Sequence, residues 1–279
     1  MMKMRAVSRF FDRTPVTDPA TGELLFKAQF ANYDGSKRDA YSAYRRIMST
    51  DPDITVPASR CVSALGKTWV LGDDQPDGWS ELHRVKYIAH MAAGVASVQS
   101  LSDYLLGTAA TTTWGDIQWI SDAAEESISS GVPSMYLAIL PDSFEAEQYD
   151  LVTVGALTIF VQSAAHQASG FLEARGYVQS AGLPNLSVSV QRRVFNPSTG
   201  GYTSSTTDTV RTLQLRWQEL FRYTDQMDEK FQEGDVVFAV PLTTDVKMGD
   251  ELTYGTKTYL LRGITAMAGV RVLHAREKV

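Results

Sequence analysis

Two segments of the chain carry residue types that bind phosphate or calcium in other proteins. Gly66-Lys67-Thr68 resembles the end of a phosphate-binding loop, but that motif needs a glycine five positions earlier, where Cys61 stands, and a helix after it. The residues that follow, Trp69-Val70-Leu71, are typical of a strand. Asp73 to Gly78 echoes a calcium loop, yet Arg84 occupies the position where such a loop requires a bidentate glutamate. Neither segment therefore predicts a ligand site.

No other grouping of side chains predicts catalysis or metal binding. The four histidines lie apart from one another and from the single cysteine, Cys61, at spacings unlike those of metal ligands. No serine or cysteine stands in a nucleophile elbow, and the acidic residues lie beside turn glycines or on polar faces. The sequence predicts a protein that is not an enzyme, with no catalytic residue, no metal and no cofactor.

The elements that would position any site come from a pattern that recurs along the chain. Met135 to Pro141 and Val236 to Pro241 are apolar runs closed by proline, and Gly155 and Gly255 each lie 14 residues after that proline. Three residues beyond each glycine, a threonine heads another apolar strand. Recurrence of this kind indicates tandem structural repeats.

A looser first copy extends the pattern towards the start of the chain. Ile54 to Pro57, followed by Gly66, gives the same order of elements with a shorter gap. Asp18-Pro19-Ala20-Thr21-Gly22 and Asn196-Pro197-Ser198-Thr199-Gly200 share a turn pattern in which proline fixes φ and glycine takes the left-handed region. The alternative for this copy is that proline and glycine are scattered in this way in any β-rich chain.

The repeat predicts an all-β fold of three tandem modules, each a small β-barrel or sandwich with long hairpin loops. Their limits are 1–94, 95–180 and 181–279. Linkers rich in small residues are expected at Ala92–Ser97 and Gln179–Pro184.

Two segments fit either a helix or a strand, and a third is matched to a segment of another module. Ser36 to Met48 fits a helix or an exposed basic strand, and analogy with the other modules favours a strand or a long loop arm. Leu213 to Tyr223 also fits both periods, and its threonine-rich lead-in favours a strand. Trp114 to Ser121 is the expected counterpart of Arg216 to Thr224 in the third module.

Composition limits the classes of partner. A chain of 279 residues with 44% hydrophobic content can bury a sizeable core. It has no apolar run that fits a signal peptide or a membrane span, so we expect a soluble protein without membrane contact. A lone cysteine fits assembly in a reducing cytosol. A net charge of −6 argues against general nucleic-acid binding.

The third module resembles head-tail connector proteins of tailed bacteriophages, most of all the head-completion or stopper group. The resemblance rests on Tyr223-Thr224-Asp225, Phe231 to Asp235, Gly249-Asp250 and the strand after Gly255. It reaches the first two modules only through their likeness to the third, and known relatives usually have one module. It implies small β-barrels with a long loop between early strands, assembled as a homo-oligomeric ring in the virion neck after synthesis in the host cytoplasm.

A neck ring implies particular partners and contact residues. The partners are further copies in a six-fold or twelve-fold ring, the portal or adaptor and tail proteins, and double-stranded DNA that passes through without tight binding. The polar arms Ser36 to Asp51 and Asn196 to Thr207 are the predicted assembly segments. The predicted interface residues are Arg45, Arg46, Asn196, Thr199, Gly200 and Tyr202.

The basic residues have two expected roles. Arg45 and Arg46 are expected on a solvated face. Six bases are expected to contact acidic surfaces of protein neighbours, namely Lys37, Arg38, Arg45, Arg46, Arg192 and Arg193.

Two alternative functions remain. One is another virion component, such as a tail tube, tail terminator or tail-attached protein. The other is a carbohydrate-binding β-protein with Trp79, Trp114 or Trp119 as its platform.

Overall fold

The computed structural model describes residues 13–33, 44–76, 85–120, 135–181, 186–215 and 235–278. These residues form eighteen strands and one short helix, so the predicted all-β fold is confirmed. No helix in the described ranges is long and apolar enough to cross a membrane.

The strands form three barrels in tandem. Barrel 1 comprises β1 (Thr14–Thr17), β2 (Leu24–Asn32), β3 (Arg45–Thr50), β4 (Cys61–Ala64), β5 (Lys67–Pro76) and β6 (Val85–Met91). Barrel 2 comprises β7 (Gly94–Gln99), β8 (Thr111–Trp119), β9 (Met135–Pro141), β10 (Leu151–Val154), β11 (Leu157–His166) and β12 (Phe171–Ala181). Barrel 3 comprises β13 (Leu186–Asn196), β14 (Gly201–Leu215), β15 (Asp235–Pro241), β16 (Glu251–Tyr254), β17 (Lys257–Met267) and β18 (Val270–Glu277). Helix α1 (Leu101–Leu106) connects β7 to β8.

All three barrels have the same topology. Around each barrel the strands follow in the order first, second, third, sixth, fifth and fourth. The fourth strand pairs with the first and closes the barrel. In barrel 1 this closure is a single residue pair, Thr17 with Ser63. Closing the ring removes the free edges that a six-stranded open sheet would expose.

The glycine that marks the repeat lies in the same hairpin in every barrel, between the fourth and fifth strands. Gly155 and Gly255 take the first position of a two-residue turn, both with a φ of 60°. Gly66 takes the second position with a φ of 69°, after Leu65 with a φ of 55°. Turns with positive φ at the first or at both positions match the twist of a hairpin. The first barrel thus makes the same connection with a different turn.

The match of Ile54–Pro57 to the proline-closed strand is wrong. The equivalent strand is β3, and Asp51 holds the position of Pro141 and Pro241. The carbonyl oxygens of these three residues accept hydrogen bonds from the amide three residues on, at 3.2, 3.0 and 3.0 Å. Asp51 lies 14 residues before Leu65, which is the spacing of the other two copies. Because this turn requires only a carbonyl acceptor, a search for proline misses the first copy.

The predicted linker Ala92–Ser97 is mostly strand, since β7 begins at Gly94. Ala96 and Val98 are buried in barrel 2 and alternate with more exposed residues. The small size of these residues hides that alternation in the sequence. Of the second predicted linker, residues 179–181 belong to β12 and residues 182–184 lie outside the described ranges.

The predicted match between the second strands of barrels 2 and 3 is out of register. Asp116 pairs with Ile139, and Leu213 pairs with Ala239, each two residues before the closing proline of the third strand. Asp116 is therefore the counterpart of Leu213, and residues 216–224 lie outside the described ranges. The favoured strand is confirmed for residues 213–215.

In the segment Ser36–Met48 the favoured strand is confirmed for residues 45–48, whereas the arm predicted over Ser36–Asp51 is wrong for residues 45–50. These residues form β3, the third strand of barrel 1, and they pair with β2 and β6 on either side. Residues 36–43 lie outside the described ranges.

Both faces of the barrel strands are buried where two barrels meet. In β15, Phe238 and Val240 lie inside barrel 3, whereas Val237 and Ala239 lie outside it and are equally buried. Successive side chains of a strand point to opposite faces, so the outer set must be covered by another element.

Barrel 1 packs on barrel 2 through such an outer set. The buried residues of this contact are Cys61, Val70, Ile88, Leu137, Ile139 and Phe171. The backbones also meet, because the amide of Asp73 donates to the carbonyl oxygen of Ser169 at 3.0 Å. A Cβ on Gly72 would lie 2.1 Å from that oxygen, so the close approach requires glycine.

Barrel 2 packs on barrel 3 through the equivalent strands. Leu151 and Phe160 hold the strand positions of Cys61 and Val70, and they cluster with outer residues of β14, β15 and β18. Helix α1 adds Leu101, Tyr104 and Leu105 to the same cluster. The fourth and fifth strands of one barrel thus face the third strand of the next, twice in succession, which is a head-to-tail arrangement.

Candidate protein interface

Four of the six predicted interface residues lie together, and two lie elsewhere. Those at the tip of the β13–β14 hairpin are Asn196, Thr199, Gly200 and Tyr202. Arg45 and Arg46 belong to β3 in barrel 1.

The outer part of the β13–β14 hairpin, residues 192–205, projects from barrel 3 as a two-stranded ribbon. Its strands pair with each other from Arg192 and Ser205 to Asn196 and Gly201. Among the described residues, β13 pairs with β16 only as far as Gln191, and β14 pairs with β15 only from residue 213 onwards. The long hairpin loop expected from the sequence is therefore present, and we call it the ribbon.

The tip of the ribbon is a turn held by its own polar groups. Asn196 Oδ1 accepts the amide of Ser198 at 3.0 Å, and the Asn196 carbonyl oxygen accepts the amide of Gly200 at 3.0 Å. The Asp18 turn of barrel 1 has the same design, and hydrogen bonds from the Thr21 and Ala20 amides lower the pKa of Asp18. The shared sequence pattern therefore encodes a turn between the first and second strands.

Apolar side chains are exposed next to this turn. Val194, Phe195 and Tyr202 are 51%, 53% and 70% exposed. Phe195 and Tyr202 are directly opposite each other, with ring centroids 5.4 Å apart in an edge-to-face arrangement. An exposed apolar patch that includes an aromatic pair is typical of a protein contact surface.

Arg192 anchors the base of the ribbon to barrel 3. Its Nε and Nη2 donate to the two carboxylate oxygens of Asp250, at 3.1 and 2.9 Å. Its Nη1 and Nη2 donate to Asp245, at 3.0 and 3.2 Å. The hydrogen bonds with Asp250 and Asp245 raise the pKa of Arg192, and the bond with Arg192 lowers the pKa of Asp245. Arg192 is thus occupied within the chain, contrary to the expectation that it contacts an acidic neighbour.

Arg45 is buried between barrels 1 and 2, so the expected solvated face is wrong for this residue. It is 7% exposed, its Nη2 lies 3.8 Å from Glu173, and its guanidinium lies 5.7 Å from the centre of the Phe171 ring. Arg46 is half-buried and donates to the carbonyl oxygen of Arg45. The sequence signal for this burial is Ile47, which follows in the same strand and packs on the same contact.

A buried hydrogen-bonded pair between barrels 1 and 2 was not predicted from the sequence. His90 Nε2 lies 3.0 Å from Asp116 Oδ2, and the two residues are 0% and 6% exposed. No group in the described ranges forms a hydrogen bond with His90 Nδ1. The two residues belong to different barrels, so no local motif marks the pair.

The described residues form no phosphate, metal or sugar site at the other candidate positions. Gly66-Lys67-Thr68 lies in the β4–β5 hairpin, where a strand follows it. In the described part of the chain, no three histidine, cysteine or acidic side chains are placed to hold a metal ion. Trp114 packs against the contact between barrels 1 and 2, Trp119 is 51% exposed, and Trp79 lies outside the described ranges.

The chain matches no protein-family model, no curated protein and no solved structure.

Proposed function

We propose that this protein is a structural, non-enzymatic component of a tailed-bacteriophage particle. In this proposal it forms a homo-oligomeric ring at the head–tail junction and joins the portal or its adaptor to the tail. The observation that carries the proposal is the ribbon, because it exposes apolar side chains and, among the described residues, a strand edge without a paired neighbour. The likeness of the third module to connector proteins supports the choice of particle.

The exposed side chains favour a protein partner for the ribbon. Val194 and Phe195 are neighbours in one strand and therefore point to opposite faces, so the ribbon has apolar groups on both sides. Burying an apolar side chain fully contributes about 1.5–3 kcal/mol. A partner that covers both faces of the ribbon gains more than one that lies along a single face.

The backbone of β14 also favours a second chain. Among the described residues, no strand pairs with the outer edge of this strand between residues 201 and 212. An open edge is a template for strand addition from a neighbour. The edge is rich in serine and threonine, including Thr203, Ser204, Ser205, Thr206 and Thr207, which keeps it solvated until a partner arrives.

A ring through which DNA passes should make few fixed contacts with phosphate. The chain has a net charge of −6, and both Arg45 and Arg192 are engaged by carboxylates within the chain. We expect non-specific duplex binding with a Kd of ~10⁻⁴ M or weaker near physiological salt. An electrophoretic assay across a salt series checks this, and micromolar binding with a steep salt slope would contradict a passive wall.

Shortening the ribbon tests the proposal. Arg193 and Ser204 are directly opposed, so replacing Val194–Thr203 with Asn-Gly joins them through a tight turn and keeps the Arg192 anchor. We expect an unchanged far-ultraviolet spectrum and loss of the oligomer in size-exclusion chromatography with light scattering. Leu24→Ser is the matched control, since Leu24 is 56% exposed on barrel 1. An oligomer that forms equally well without the ribbon would overturn the proposal.

A further inference from the structure

Barrel 2 contains an acidic cavity of about 380 Å³ beside the start of α1. Its lining includes Gln99, Ser100, Asp103, Phe144, Glu145 and Asp150. The lining comes from the end of β7, from the connection to β8 and its first residue, and from the loop between the third and fourth strands. An acidic lining alone does not define a ligand, but barrel 3 shows what occupies the same place there.

The strand registers of the two barrels identify the equivalent residues. Gln99 in barrel 2 and Gln191 in barrel 3 each pair with the first residue of the fourth strand. The next residue is Ser100 in barrel 2 and Arg192 in barrel 3. A short hydroxyl therefore stands where barrel 3 has a guanidinium.

The carboxylates around this position are equivalent too. Asp150 and Asp250 each precede the fourth strand, and the Oδ2 of each accepts the amide of the residue three positions earlier at 2.8 Å. Glu145 and Asp245 each lie five residues before these aspartates. In barrel 3 the two carboxylates hold the Arg192 guanidinium through four hydrogen bonds of 2.9–3.2 Å.

Among the described residues, no basic side chain forms an ion pair with Glu145 or Asp150. Burial raises the pKa of Asp150, and the nearby charges of Glu147 and Asp103 raise it further. In barrel 3 the pKa of Asp245 moves the opposite way because Arg192 is present.

We infer that the barrel 2 cavity is a binding site for a guanidinium group supplied from outside the chain. Asp150 and Glu145 receive the arginine fork there, as Asp250 and Asp245 receive Arg192 in barrel 3. A planar guanidinium fits two carboxylates better than an ammonium does, because its donors form a fixed fork. This inference does not depend on the proposed ring.

Calorimetric titration of the full chain with arginine amide tests the site. We expect saturable binding by the wild type. The affinity should fall by about tenfold or more in Asp150→Asn and in Glu145→Gln, since each variant loses a charge-assisted hydrogen bond. Glu145 is exposed, so Glu145→Gln should retain the fold. Asp53→Asn, an exposed acid of barrel 1, is the control for net charge. Lysine amide should bind more weakly than arginine amide.

Opening the barrel 3 site gives a reciprocal test. Arg192→Ala leaves Asp245 and Asp250 without their cation, so this variant should bind a second equivalent of arginine amide. A blocked Gly-Arg-Gly peptide that binds more tightly than arginine amide would identify a polypeptide as the source, whereas equal affinity would identify a free guanidino compound. Equal binding of lysine and arginine amides, or equal weakening by Asp53→Asn and Glu145→Gln, would overturn the inference.

Discussion

Helix α1 and the ribbon occupy the same place in two equivalent barrels, the connection between the first and second strands. In barrel 2 this connection buries Leu101, Tyr104 and Leu105 against barrel 3. In barrel 3 it leaves Phe195 and Tyr202 more than half exposed. The same connection is therefore covered within the chain in barrel 2 and exposed in barrel 3, and under the proposed function a partner would cover the exposed one.

The largest expected effect is a difference in how much substitutions in α1 and in the ribbon lower the free energy of unfolding. Leu105→Ala should lower the free energy of unfolding by about 2–4 kcal/mol, because Leu105 is 3% exposed between two barrels. Phe195→Ser should change it by no more than about 0.5 kcal/mol, since an exposed side chain contributes little to the fold of a single chain. Urea denaturation measures both. Equal losses would show that the ribbon belongs to the folded core.

A smaller loss of stability is expected when one local hydrogen bond is removed from each connection. The Ser100 hydroxyl accepts the amide of Asp103 at 3.0 Å as the N-cap of α1, so Ser100→Ala should cost about 1 kcal/mol of stability. Asn196→Ala removes the corresponding bond at the ribbon tip, beyond the last pairs that the described residues form with β15 and β16, so its cost should be smaller. Thermal melting of the two variants compares them, and a larger loss in Asn196→Ala would reverse the distinction.

The smallest expected effect is a pH dependence of opposite sign in the two acidic loops. The folded-state pKa of Asp245 is lowered by Arg192, so its contribution to stability is present above the unfolded-state pKa of about 4 and is lost as the pH falls through the folded value. The folded-state pKa of Asp150 is raised by burial, so its charge opposes folding above that pKa and the cost disappears on protonation.

Two variants resolve these opposite dependences. The stability lost in Arg192→Ala should shrink as the pH falls below about 4, because the Asp245 carboxylate then becomes neutral. The stability gained in Asp150→Asn should also shrink at low pH, where wild-type Asp150 is protonated. Denaturation curves between pH 3 and pH 7 measure both differences. Differences that do not vary with pH would contradict the assigned pKa directions.

The strands and turns of barrels 2 and 3 are predictable because their signals are local. Pro141 and Pro241 end equivalent strands, and Gly155 and Gly255 follow at the same spacing because a tight turn needs positive φ. The first copy is mismatched because Asp51 supplies the turn carbonyl without being a proline.

The site is less predictable because its contacts join distant residues. Arg192 meets Asp245 and Asp250 across separations of 53 and 58 residues. Arg45 looks solvated in the sequence, and only the packing of barrel 1 on barrel 2 buries it. The ribbon tip could be placed from its turn pattern, whereas the anchor at its base requires the closed barrel.

Electron-microscope images of the purified full chain test the central claim most directly. The account predicts closed rings of six or twelve copies, in which the ribbon lies at the boundary between neighbouring subunits. Head-to-tail contacts close into rings or continue as open filaments according to their rotation, so the image distinguishes these outcomes. Rings that disappear when the ribbon is shortened would support the account. Monomers alone, or open filaments without rings, would contradict it.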